Sequence, residues 1–142
     1  MKINVKSLFF SGIIAGIIIL IVGGGLIPII GNQMDEVLKS RLLPPLSNGA
    51  MIFFAFCSIV NGIGSIALYV LIKNSVKTRP QAIIITSLLF WFFVYFLANS
   101  ANVAYGFMPL RLTVIGTIWG LLEFFLGVIV GSKLYREVKN IT

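Results

Sequence analysis

Four long, predominantly apolar runs, each long enough to cross a bilayer as a helix, constrain this chain more than any other feature. They cover 8–30, 49–72, 82–105 and 112–134. A helix needs about 20 apolar residues to span the hydrocarbon core. The expected fold is therefore all-α: a polytopic membrane protein whose four transmembrane helices form an antiparallel bundle, one domain over 1–142. Composition agrees, since 58% of residues are apolar and 11% charged, where soluble domains carry about 25% charge. So apolar a chain has too little polar surface to cover itself in water.

The first run invites comparison with a signal peptide, because Lys2 and Lys6 precede it. Its apolar length exceeds the roughly 7–15 residues of a signal core. Gly23-Gly24-Gly25 followed by Leu26-Ile27-Pro28 reads as a weak point in a continuing, retained helix. Between the second and third runs lies a basic turn at 74–81, with Pro80 where a missing N–H does least harm. A shorter turn at 106–111 contains Pro109. Such connections make consecutive helices antiparallel neighbours.

The connection at 31–48 is longer. Met34, Val37, Leu38 and Leu42 recur at helical spacing among Asp35, Glu36, Lys39 and Arg41, and Pro44-Pro45 follows. A short amphipathic helix lying on the membrane surface is expected there.

Charge gives an orientation. Lys2, Lys6, Lys73, Lys77, Arg79, Lys133, Arg136 and Lys139 fall on one side of the four runs, and Lys39, Arg41 and Arg111 on the other. The positive-inside rule puts both termini in the cytoplasm, with the chain in a plasma (inner) membrane. The net charge of +7 then faces lipid headgroups, and no nucleic-acid partner is expected. The lipid bilayer is the first partner; other membrane proteins or a homo-oligomer are the candidates beyond it. No cofactor or metal is expected, because the chain has no histidine and one cysteine, Cys57, set in an apolar run that suits an inert thiol.

Glu123 is the one ionisable residue deep inside a run. Such a group is costly in lipid and turns toward protein. Gly116, Gly120, Gly127 and Gly131 share its helical stripe, and small residues let helices approach closely. Trp119 precedes Glu123 by one turn and can wall the same face. In the second run Ser58, Asn61, Gly62 and Ser65 share a face; in the third, Ser87, Trp91, Tyr95, Asn99 and Asn102 do. The expected polar centre joins Glu123, Asn61 and Tyr95, extended by Asn99 and Asn102. It is either a hydrogen-bond network fixing helix register or a ligand or proton site. Gly12, Gly16 and Gly23 mark the first run as a packing element. The pairs Gly12/Gly16, Gly116/Gly120 and Gly127/Gly131 suit packing within one chain or a dimer seam.

The Gly-rich first run after a basic start, the aromatic Phe90-Trp91-Phe92-Phe93-Val94-Tyr95 and the closing Gly120-Leu121-Leu122-Glu123-Phe124-Phe125-Leu126-Gly127 together resemble uncharacterised four-helix bacterial integral membrane proteins. That resemblance implies the fold and no activity. Small multidrug exporters are also four-helix proteins with a membrane glutamate, but there the acid belongs to the first helix, and the first run here has none. A non-enzymatic accessory, assembly or partner-binding protein is the expectation; the alternative is a transporter or channel subunit using Glu123 as an intramembrane proton- or cation-binding acid. An enzyme would need a nucleophile, base or metal set that these residues do not supply.

Overall fold

The computed structural model describes residues 3–137. Among them every regular element is a helix. The order is α1 (Val5–Gly24), α2 (Ile27–Ser40), α3 (Asn48–Ile72), α4 (Arg79–Trp91), a π-helical turn (Phe92–Phe96), α5 (Leu97–Ala104) and α6 (Leu110–Leu134). Four stretches are long and apolar enough to span a membrane: Val5–Gly24, Asn48–Ile72, Arg79–Ala104 and Leu110–Leu134.

Local chemistry sets the helix starts. Asn4 accepts from the Ser7 amide at the head of α1, and Ser47 accepts from the Ala50 amide at the head of α3. Thr78 and Gln81 form a reciprocal capping box at the head of α4, with Pro80 in the first turn.

Two of the expected helices are broken. The run 8–30 does not continue through its glycines: α1 ends at Gly24 and α2 begins at Ile27. Three glycines disfavour helix, and Pro28 has no N–H to offer the Gly24 carbonyl four residues back. The run 82–105 is interrupted by the π turn, closed by the Leu97 amide on the Phe92 carbonyl. The amphipathic element begins earlier than expected, at Ile27. Met34, Val37 and Leu38 are half-buried on α2 while Asp35, Glu36 and Lys39 are exposed. Leu42, expected on the apolar face, is not part of it: the helix stops at Ser40, and Leu42 takes φ 56° with its side chain 95% exposed.

Packing centres on α1, which lies against α3 on one side and α6 on the other. Gly12 and Gly16 face Ile63 and Ile59, and Gly62 of α3 sits on the Gly16 backbone, where a Cβ would come within 2.2 Å of the Gly16 nitrogen. Both Gly12 and Gly16 are thus used within the chain. Across α1, Ala15 and Ile19 meet Gly127, while Ala15 and Ile66 meet Gly131. Gly120 receives the Tyr95 ring. Gly116 differs from its expected role, because nothing lies within 4 Å of where its Cβ would be. The core cluster comprises Ala15, Ile66, Tyr69, Val70, Ala82 and Val128.

This core is lopsided. α3 buries nothing before Gly62, and α5 buries nothing at all. The third span meets α3 where Phe90 fills the space beside Gly64. Exposed phenylalanines and isoleucines such as Ile21, Ile52, Phe53, Phe56, Phe93 and Ile118 cover the remaining faces. Water would penalise that surface heavily, whereas lipid does not. Cys57 is half-buried on α3.

Candidate functional site

Glu123 lies on the buried side of α6, 4% exposed, next to the fully buried Phe124. Two other elements converge on its carboxyl group. The first is the π turn, which carries Tyr95: its hydroxyl donates to Glu123 Oε2 at 2.5 Å. The Tyr95 ring reaches that position by lying flat on Gly120, where a Cβ would come within 2.6 Å of ring carbons, and it meets Phe124 edge-on. The second is the last turn of α1. A Cβ on Gly23 would stand 3.4 Å from Glu123 Oε1, so α1 closes the other side of the carboxyl. That end of α1 is in turn tied to α6 through Trp119. Its indole Nε1 donates to the Val22 carbonyl at 2.8 Å, within the turn where α1 unravels. The end of α1, the acid and the tyrosine are therefore held as one unit.

A second polar layer lies toward the Leu110 end of α6. Trp91 Nε1 donates to the Thr117 carbonyl at 2.7 Å, and Asn99 Nδ2 donates to Thr117 Oγ1 at 2.8 Å. The Thr117 hydroxyl in turn donates to the Thr113 carbonyl. Toward the other end, Ser87 Oγ reaches the Phe124 carbonyl at 3.5 Å.

The five residues expected to share one centre thus divide. Glu123 and Tyr95 are joined. Asn99 belongs to the Thr117 layer. Asn61 and Asn102 are half-buried and make no side-chain hydrogen bond among the described residues. Two causes account for this. α3 turns Ile59, Gly62, Ile63 and Ile66 toward α1 and α6, and Gly64 toward Phe90, so Asn61 has no line to α6. The π turn inserts an extra residue into the third span, so a stripe laid out on an ideal α-helix loses register beyond Trp91. Thr117 and the carbonyl-holding role of Trp119 were not foreseen. The sequence signal for the latter was the Gly23–Gly25 weak point together with Pro28; for the π turn there was none.

Chemically, a carboxyl paired with a phenol can hold or pass a proton, or accept a cation if it opens. Among the described residues no three His, Cys, Asp or Glu side chains group together as metal ligands. Comparison with protein-family models, curated proteins and solved structures finds no match to this chain.

Proposed function

We propose that this chain is a non-enzymatic integral membrane protein, working through contacts of its helix faces with other membrane proteins. In this reading the four spans form an antiparallel bundle in a plasma membrane, with both termini cytoplasmic and α2 on the opposite surface. The Lys and Arg distribution supports that orientation. The observation that carries the functional reading is the enclosure of Glu123. The single buried acid is 4% exposed and already bonded to Tyr95, so helix surfaces remain the chain's main means of action. The half of α3 before Gly62, with Met51, Ile52, Phe53, Phe54 and Phe56 exposed, is one such surface.

The test is purification in native-lipid discs. A partner should co-purify stoichiometrically, be lost on Phe53→Ala/Phe56→Ala, and persist in Glu123→Gln. Purification without a partner, or a partner indifferent to the α3 face, counts against the proposal.

A second reading rests on a different observation. Two helix irregularities, the α1 break and the π turn, meet at the same acid. Broken and π-bulged helices are frequent at ion and substrate sites. As a proton- or cation-handling subunit, the chain would support ion flux in proteoliposomes that Glu123→Gln abolishes. Equal flux in wild type, Glu123→Gln and empty vesicles would remove this reading.

A further inference from the structure

A groove of about 430 Å³ runs between α5 and the first half of α6. Its apolar walls are Trp91, Phe96, Val103, Leu110, Val114 and Ile118. Its volume falls in the range of small-molecule sites, and its lining offers few free donors to a polar occupant. The Trp91 indole N–H is spent on the Thr117 carbonyl. The Thr117 and Thr113 hydroxyls both donate back to their own helix, to the Thr113 and Pro109 carbonyls. Of the lining groups only the Ser100 hydroxyl is uncommitted. An occupant would find hydrocarbon and little to hydrogen-bond.

The mouth of the groove is different. Arg111 lies on the helical stripe of Val114 and Ile118, at the first turn of α6, and its side chain is exposed. Among the described residues it makes no hydrogen bond or ion pair. The exposed acids Asp35 and Glu36 on α2 are not paired with it. Arg41, the neighbouring guanidinium, is already bonded to the Gly106 carbonyl in the turn before α6. An exposed, unpaired cation thus stands about one turn before Val114, on the helical stripe that lines an apolar slot in a segment long and apolar enough to span a membrane. From Leu110 to Ile118 the slot extends about 12 Å along the helix, at 1.5 Å per residue.

We propose that this groove holds one acyl chain of a phospholipid whose phosphate rests on Arg111. The guanidinium supplies charge and forked N–H donors suited to phosphate. The groove supplies the dry, side-chain-lined path for the chain beneath it. The site is separate from Glu123, which does not line it, and does not depend on whether the protein acts through partners or through ions.

The test uses purified protein in mild detergent, titrated with a phospholipid carrying brominated acyl chains, with tryptophan fluorescence as readout. Quenching should saturate at one lipid per chain and disappear in Trp91→Phe, which leaves Trp119 as the remaining tryptophan. Val114→Phe fills the groove from an exposed position and should abolish saturable quenching without altering helicity by circular dichroism. Arg111→Gln should raise the half-saturating lipid concentration roughly fivefold, the scale of one exposed ion pair. A brominated diacylglycerol, which has no phosphate, should show no such Arg111 dependence. Quenching that rises in simple proportion to lipid with no plateau, or that survives Val114→Phe, overturns the proposal. So does rapid disulfide formation between copies of Ser100→Cys in a Cys57→Ser background, which would make this face a contact between protein chains.

Discussion

At the scale of single residues, the chain concentrates its polar chemistry on one hydrogen bond. Tyr95 and Glu123 meet at 2.5 Å, with the acid 4% exposed and no Lys or Arg paired to it. Interhelical polar pairs in membranes average about 0.6 kcal/mol and reach about 1.7. A double-mutant cycle of Tyr95→Phe and Glu123→Gln, followed by thermal unfolding in detergent, should return a coupling in that range. A coupling near zero would mean the pair contributes nothing to holding the π turn against α6. Glu123→Leu should cost more than Glu123→Gln, because it leaves the phenol without an acceptor. The direction of Glu123 was legible in its glycine stripe, since Gly120 and Gly127 carry the close contacts that bury it. Its partner was one of several candidates, because side chains of similar depth were known while their rotation about the helix axis was not. Asn61 has the right depth and the wrong face.

At the scale of elements, the glycines make a graded set. Gly62 and Gly116 both occupy helix interiors, and their surroundings are opposite. A methyl group on Gly62 collides with the α1 backbone, which cannot yield as a flexible side chain would. Gly62→Ala should therefore destabilise the protein by about 1–3 kcal/mol, the usual cost of overpacking. Gly116→Ala meets open space and should be neutral or stabilising by up to about 1 kcal/mol, from helix propensity alone. Thermal melts of the two variants check both. The α1–α2 break has its own handle. Trp119→Phe removes the donor to the Val22 carbonyl, and amide exchange at Gly23–Gly25 should accelerate while the middle of α3 stays protected. Apolar run length identified the spans and placed most of their ends within about three residues, because hydrocarbon thickness fixes that length. The π turn stayed hidden because its residues, Phe92 to Phe96, are equally acceptable in an α-helix. In the π form Tyr95 bonds Glu123, and Trp91 and Asn99 bond Thr117.

At the scale of the whole molecule, the two ends of the described chain are fastened together. Tyr135 Oη accepts from the Asn4 amide, Ser7 Oγ accepts from the Arg136 amide, and Lys73 pairs with Glu137 while lying over the Tyr135 ring. The Lys73 ammonium holds the Glu137 carboxyl below its ordinary range. A lowered folded-state value means that the pair's contribution is present above the ordinary glutamate range, about 4.3, and is lost as pH falls through the lowered value. In fluorotyrosine NMR below neutral pH, the Tyr135 line should shift in that acid window, and Lys73→Gln should move the shift to higher pH. An unchanged profile in Lys73→Gln would separate the line from this pair. The proposed orientation is checked apart from this, by reporter fusions at Thr78 and at the C-terminus, both of which should report cytoplasm. The central position of α1 carries one more consequence, for the order in which the molecule is made. α1 leaves the ribosome well before α6, one of its two packing partners. Until residue 131 has been inserted, Ala15 has no Gly131 to pack against, and the Val22 carbonyl has no indole. If the spans insert in chain order, as the proposed topology requires, the first helix waits half-covered, where an insertase or chaperone can hold it, and the packing around α1 closes only once α6 is in place. A ribosome stalled before Leu110 should accordingly leave α1 open to cross-linking by membrane chaperones, and release of the full chain should end that exposure.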